Sequence, residues 1–343
     1  MPSSTLAIVA IYLGFALLEL WRSNLFRKAE QTRDDGIVEA VSMTVLLAVT
    51  QPAILLGSAA LAGWLAPQWE GALADIGLPA ALGLFLLLDD MVQYWWHRAS
   101  HTFPWLYNLH RAHHNARYMS VRLVYRNNVL YYAMMPNLWT SGVLIYLGLG
   151  WVYAGYVVAK MLVIIGAHSD VAWDRPLYAI RWLSPLMWVV ERTISTPATH
   201  HAHHGRHADD PAVHYKGNYG NMLFLWDVLF GTAHITRGYP RSYGVENLAP
   251  ASLGQQLLWP IFPERKAAEP APADFEQRAD AATKRFAREL QAALKGAIAE
   301  GGPEHAIGLC KQMAPQITSN HTKDGLRLRR IGVRVRNHKT NVP

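Results

Sequence analysis

Thirteen of the 16 histidines in this chain fall between residues 97 and 234, most of them in three tight groups. His97-Arg98-Ala99-Ser100-His101 is an i, i+4 pair. His110-Arg111-Ala112-His113-His114 adds i, i+3 and i, i+4 pairs, and His200-His201-Ala202-His203-His204 repeats the His-x-x-His-His spacing. His168 stands alone between them. On a helix, residues three or four apart share one face, so two such imidazoles can reach one ion. Imidazole suits Fe, Zn, Cu and Ni. Eight or nine ligands of this kind are too many for one ion and about right for two.

The other residues narrow the chemistry. Soluble di-iron bundles take carboxylates and a Glu-x-x-His motif, and none occurs here; His-Glu-x-x-His, the mark of zinc proteases, is also missing. The single cysteine, Cys310, excludes multi-cysteine zinc and iron–sulfur sites and an internal disulfide. A metal transporter would carry its histidines within the bilayer, along the pathway, whereas these come after the apolar runs. An all-histidine two-metal centre beside a membrane suits activation of O₂ for attack on an inert lipid C–H bond, the membrane supplying the apolar substrate.

The elements that must position these histidines are apolar. Hydrophobic residues make up 51% of the chain and charged residues only 17%, against the ~25% usual for soluble domains. Leu6–Leu20, Val38–Ala66 with Pro52 as a kink, Gly71–Trp96, and Val129–Ala167 read as membrane spans, the last as two spans turning near Leu147-Gly148-Leu149-Gly150. The N-terminus has no basic region or small-residue cleavage site of a signal peptide. Arg22, Arg27, Lys28 and Arg33 come after the first span, and Arg98, Arg111, Arg117, Arg122 and Arg126 after the third. Arg175, Arg181 and Arg192 come after the last, while Pro67-Gln68-Trp69-Glu70 has no basic residue. The basic segments and the histidines then share one face, expected to be cytoplasmic. The fold expected is all-α: a polytopic membrane helical bundle with a histidine-rich, metal-binding cytoplasmic cap and a small helical C-terminal tail.

At these motifs, over roughly Leu82–Thr232, the chain resembles the fatty acid hydroxylase/sterol desaturase superfamily of integral-membrane di-iron oxygenases. The matching pieces come in order: Asp90, Tyr94 and His97-Arg98-x-x-His101; Leu109-His110-x-x-His113-His114; His168-Ser169; Thr196-Pro197-x-x-His200-x-x-His203-His204-Gly205; then Asn218-Tyr219-Gly220 and Trp226-Asp227-x-x-Phe230-Gly231-Thr232. The resemblance implies that His97, His101, His110, His113, His114, His168, His200, His203 and His204 hold two iron ions, with His201 a bystander. His207 and His214 are expected in solvated or supporting roles. Asp90 and Asp227 are candidates to accept an N–H from a ligand imidazole, which would raise its basicity; for Asp227 a local backbone role is the alternative.

The function expected is O₂-dependent hydroxylation of a lipid (fatty acyl, sphingoid, ether-lipid, sterol or carotenoid). Desaturation by the same centre is the alternative. A non-catalytic membrane metal-binding protein is the alternative of another class. Iron is the expected cofactor, with zinc able to replace it in purified protein. No flavin, nicotinamide or iron–sulfur motif is present, so electrons must come from an external donor such as a ferredoxin or a cytochrome with its reductase. Nothing supports nucleic-acid binding.

Residues 1–259 are thus read as the membrane oxygenase domain, with its histidine motifs within 97–232; 260–272 as a Pro-rich linker; and 273–343 as a basic helical tail of unassigned role. In the tail, Phe275, Ala279, Ala282, Phe286, Leu290, Leu294 and Ile298 recur at helical spacing up to Gly301-Gly302-Pro303. Leu290–Asn337 faintly resembles the start of a bacterial haem-binding sensor domain, but the Cys-x-x-Cys-His attachment motif is absent and no haem is expected. Cys310 reads as a small buried apolar residue.

Overall fold

The computed structural model describes residues 3–23, 25–28, 30–248, 251–262 and 274–320. These residues form helices and two isolated β-bridges, Ile194 with Leu223 and Gly205 with Tyr243. The chain divides into two compact units, Met1–Glu264 and Arg265–Pro343.

The first unit is an all-α membrane bundle. It contains α1 (Ser3–Arg22), α2 (Arg33–Val45), α3 (Gln51–Leu65), α4 (Leu78–Phe85), α5 (Val92–Thr102), α6 (Pro104–His114), α7 (Val129–Ala133), α8 (Pro136–Leu144), α9 (Gly150–His168), α10 (Arg175–Tyr178), α11 (Ser184–Thr193), α12 (Pro197–His203), α13 (Leu225–Leu229) and α14 (Leu253–Leu258). Among the described residues, three helical stretches are long and apolar enough to cross a membrane: Ser3–Arg22, Arg33–Leu65 and Val129–His168. α1 packs along α9, α3 along α8, and α5 against α6.

Local chemistry explains the boundaries. α2 starts five residues before the apolar run because Thr32 and Asp35 form a reciprocal cap at its first turn. It continues into α3 through a widened, π-helical turn at Leu46–Thr50. That turn precedes Pro52, whose ring displaces the carbonyl four residues back and whose nitrogen cannot donate. α3 and α8 lie so close that a Cβ on Gly142 would fall 1.8 Å from Ser58 Oγ and 2.9 Å from the Leu55 carbonyl. Small residues permit such contact between helices in lipid, where packing rather than water exclusion holds them together.

The expected span Gly71–Trp96 is corrected. Residues 71–77 form turns, helix begins at Leu78, and the continuous stretch to Thr102 is not apolar enough to count as a span. The reason is Asp89 and Asp90, both buried in a second widened turn at Leu86–Met91. Asp89 meets the lone cation of the last apolar run, Lys160, in an ion pair. It also accepts hydrogen bonds from Tyr156 Oη (2.6 Å), Asn137 Nδ2 (2.8 Å) and Ser141 Oγ (3.3 Å). Asn137 and Ser141 lie on α8, Tyr156 and Lys160 on α9. The two arms therefore flank one carboxylate, and the chain doubles back between them at Gly148, whose φ is +101°. A buried charge is tolerable in such a place only when paired.

A second buried acid ties the bundle to its polar end. Glu19, at the end of α1, accepts from Val121 N (2.9 Å), Asp170 N (3.0 Å), Ser169 Oγ (3.1 Å) and Ser120 Oγ (2.7 Å). Lys28 Nζ lies 3.5 Å from its other face. The loop after α6 and the residues just beyond His168 are thereby fixed to one helix end.

In the second unit, α15 runs Phe275–Asn320 and breaks at Gly301 and Gly302, the glycines at which the sequence pattern stops, before resuming. Most of the 260–272 segment, the basic end from 321 onward and the side chain of Cys310 lie outside the described residues.

Candidate metal centre

Helix ends bring the histidines together. α5 ends with His97 and His101 one turn apart, α6 ends with His110, His113 and His114, and α9 ends at His168. α12 opens on Thr196, whose hydroxyl accepts from Thr199 N in a reciprocal cap, with Pro197 at its first position. Asp174 adds an acceptor for Ala198 N at 2.9 Å. This short, fully capped helix then presents His200, His203 and His204.

The nine imidazoles form two adjoining groups, each able to hold one metal ion, with ligand atoms within 4.8 Å of one another. One group is His97, His101, His110, His114 and His203. The other is His113, His168, His200 and His204. The two His-x-x-His-His segments exchange members. His110 and His114 serve the first group while His113 serves the second; His200 and His204 serve the second while His203 serves the first. The stacked His114 and His204 rings, 4.4 Å apart, join the two groups.

The hydrogen bonds fix which nitrogen faces inward. Nδ1–H donates to a carbonyl from His97 (Tyr219, 2.7 Å), His203 (Gly217, 2.8 Å) and His168 (Ile164, 2.8 Å). His113 Nδ1–H is shared between the Leu123 and Arg126 carbonyls, each at 3.1 Å. His110 Nδ1 bonds the Asn127 side-chain oxygen at 2.9 Å. With Nδ1 protonated, each of these rings carries its lone pair on Nε2. Yet Nε2 of His97 and His203 are 3.0 Å apart, and those of His113 and His168 are 3.4 Å apart. Facing lone pairs repel unless a cation lies among them, so the donor set fits a metal ion in each group. His101 Nε2, His200 Nδ1 and His204 Nε2 are also buried without a hydrogen-bond partner.

Burial, reinforced by neighbouring imidazoles, pushes His101, His113, His114, His200 and His204 well below the ordinary imidazole value, into the neutral form that ligates. A base whose value falls on folding binds its proton better in the unfolded chain, so acid favours unfolding. These groups withdraw stability as pH falls below about 6.5 and contribute no pH dependence well above it. Thermal unfolding of metal-free protein is expected to be flat near neutrality and above and to drop steeply in mild acid; a midpoint unchanged to about pH 5 would contradict this burial.

His201 belongs to neither group. Tyr243 Oη bonds its Nδ1 at 3.0 Å, and its Nε2 donates to the Ser169 carbonyl at 3.1 Å, so both nitrogens are occupied. His207 Nδ1 donates to Glu246 at 3.0 Å, and the His214 ring lies beside His234.

Neither Asp90 nor Asp227 touches an imidazole among the described residues, which corrects the expected contact for Asp90 and leaves Asp227 with its alternative, local backbone role. Asp90 Oδ2 accepts from Trp226 Nε1 (2.8 Å) and Leu223 N (3.2 Å), and Oδ1 has no partner. Asp227 accepts from Tyr219 N (2.8 Å), Gly220 N (2.6 Å) and Thr232 Oγ1 (2.6 Å). Both acids shape the segment whose Tyr219 carbonyl receives His97. The reason is reach: the backbone lies nearer to His97 Nδ1 than either carboxylate and already satisfies it.

Asn127 is the side chain that motif spacing missed, because a lone Asn between helices carries no periodic signal. It is the only side-chain acceptor among the Nδ1 partners named above. Asn127→Ala is expected to weaken metal retention about 10–100-fold, read by competition with a chelator; unchanged retention would remove Asn127 from the site.

A cavity of about 360 Å³ opens against the first group, floored by His101, His114 and His203 and walled by Phe103, Pro104 and Tyr107.

Residues 82–232, a segment containing all nine histidines, match the fatty acid hydroxylase family. The match covers less than half of the chain and supports its likeness to the fatty acid hydroxylase/sterol desaturase superfamily. Its curated relatives include the alkylglycerol monooxygenases of Danio rerio (28% identical over 150 residues) and Homo sapiens (28% over 148 residues). The same enzyme of Xenopus tropicalis is 27% identical over 145 residues. Each match covers 42% of this chain and 28% of the relative, so the chain matches well under half the length of these relatives. No solved structure matches at a significant level. The hydroxylase segment begins within α4 and ends just after α13, leaving α1–α3, α14 and α15 outside the matched region.

Proposed function

We propose that this chain is a membrane lipid hydroxylase working with two iron ions. His97, His101, His110, His114 and His203 would hold one; His113, His168, His200 and His204 would hold the other. The observation that carries this reading is the pair of adjoining, buried imidazole groups with converging lone pairs, set against a cavity and lying within a hydroxylase-family segment. Bound iron supplies the redox chemistry by which O₂ is reduced and one oxygen atom enters a C–H bond, with electrons from an external donor, a ferredoxin or a cytochrome.

The chain's own residues do the rest. Backbone carbonyls and Asn127 hold the rings in one tautomer, so little reorganisation is needed on loading. Burial keeps bulk water from eight of the nine imidazoles, His101 being only partly buried. Phe103, Pro104 and Tyr107 give the cavity an apolar wall that sets a hydrocarbon segment against His101, His114 and His203. Only the first group borders this cavity, so the two ions would have different tasks, one facing substrate and one enclosed. The basic segments beyond the spans support a cytoplasmic location for this end of the bundle. The names of the relatives make a glycerol ether lipid the first substrate to try.

The test is reconstitution of full-length protein with Fe(II), reductant, isotopically labelled O₂ and a panel of ether-lipid, acyl, sphingoid, sterol and carotenoid substrates. A product carrying one labelled oxygen supports the reading. A product lacking two hydrogens and carrying no label would make the enzyme a desaturase. Full metal loading with no oxidation of any substrate would leave a metal-binding protein without catalysis.

A further inference from the structure

The rim of the cavity differs in character from its floor. Arg206 and Lys216 line it together with Glu246. Arg206 is half-buried, its Nε is shut off from solvent, and its guanidinium has no hydrogen-bond or ion-pair partner among the described residues. Arg111 and Arg122 also carry buried guanidinium nitrogens without an acceptor, but each of these side chains has another partner. Arg126 is held by the Ala112 carbonyl, Asp35 and Gln256, and Arg122 by Glu39. A buried guanidinium nitrogen without an acceptor is costly, and here the missing acceptor would have to come from the cavity. The exposed Lys216 ammonium also lacks an ion pair among the described residues. The one acid on the rim, Glu246, is engaged by His207 Nδ1 at 3.0 Å and pairs with neither cation.

Building on the substrate role proposed above for this cavity, we infer that it takes the charged end of an anionic amphiphile, with Arg206 and Lys216 binding a phosphate or carboxylate on it. The planar guanidinium suits two-pronged recognition of such a group, and the flexible ammonium adds a point charge beside it. At about 360 Å³ the cavity lies at the small end of ligand sites, enough for a headgroup and its first carbons rather than a whole lipid. The cations therefore act as selectors of the headgroup, and the apolar wall receives the first carbons of the chain attached to it.

The test is binding rather than turnover. Full-length protein in neutral detergent is titrated with an alkylglycerol phosphate and with the uncharged alkylglycerol of the same chain length. The phosphate form is expected to bind at least about tenfold tighter. Arg206→Gln and Lys216→Gln should each cut that preference severalfold, and the pair together should abolish it. Lys216 is exposed, so its variant reports even if Arg206→Gln folds poorly. Repeating the titration on His113→Ala separates this inference from the metal reading, since the preference should persist there. Equal binding of the two lipids, or a preference surviving the double variant, would overturn the inference. So would displacement of the phosphate lipid by inorganic phosphate at comparable concentration, which would mark a free-anion site instead.

Discussion

His113→Ala is expected to lose one of two bound metal ions and to reduce lipid oxidation by more than about 100-fold. Removing a ligand must cost more than removing its supporting hydrogen bond, which is itself worth about 10–100-fold. His113 is the member of its segment that crosses into the four-histidine group, where it stands beside His168 and His204. Three ligands would remain there, on α9 and α12, with no side chain from α6. The five-histidine group keeps all its members, so metal analysis should read about one ion per chain rather than none. His201→Ala supplies the contrast. It should retain both ions, yet leave the Ser169 carbonyl and Tyr243 hydroxyl unpaired at a cost of about 1–3 kcal/mol. If instead His201→Ala loses metal and His113→Ala does not, the assignment within these segments is wrong.

The second large effect lies far from the histidines in sequence logic but inside the bundle. Asp89→Ala strands Lys160 and removes the shared acceptor of Tyr156, Asn137 and Ser141. Breaking a buried ion pair from one side costs about 3–5 kcal/mol, a large part of a typical total stability of about 5–15 kcal/mol. Unfolding in denaturant should show the loss as a shifted midpoint. The double variant Asp89→Asn with Lys160→Met, which removes both charges, should recover at least half of it. A single variant as stable as the native chain would show that the hairpin does not depend on this carboxylate.

Much of this molecule is legible in spacing alone. The i, i+4 histidine pairs declare their helices, because only helical geometry gives that spacing a shared face. The apolar runs declare three helical stretches long enough to cross a bilayer, and Gly148 marks the turn between the arms of the last. Spacing does not foresee that Asp89, within the expected span Gly71–Trp96, is the buried carboxylate on which α8 and α9 converge. Nor can spacing find the groups that hold the rings: four of the five rings bond backbone carbonyls through Nδ1, and every residue in a chain carries one.

Residue order alone dictates the inventory: nine imidazoles on helix ends, no carboxylate motif to compete with them, and apolar helices to seat them at a membrane. The partition of those imidazoles between two groups arises only on folding. On α6, His110 and His114 lie about 40° apart around the helix, while His113 lies about 100° from His114, so one segment must face both groups. Which group each face meets depends on where α5, α9 and α12 end in space, and that is set by long-range contacts such as Glu19 with Ser169 and Asp174 with Ala198. Helical periodicity is a local property of the chain. The meeting of helix ends is not, and it is there that a list of histidines becomes two sites.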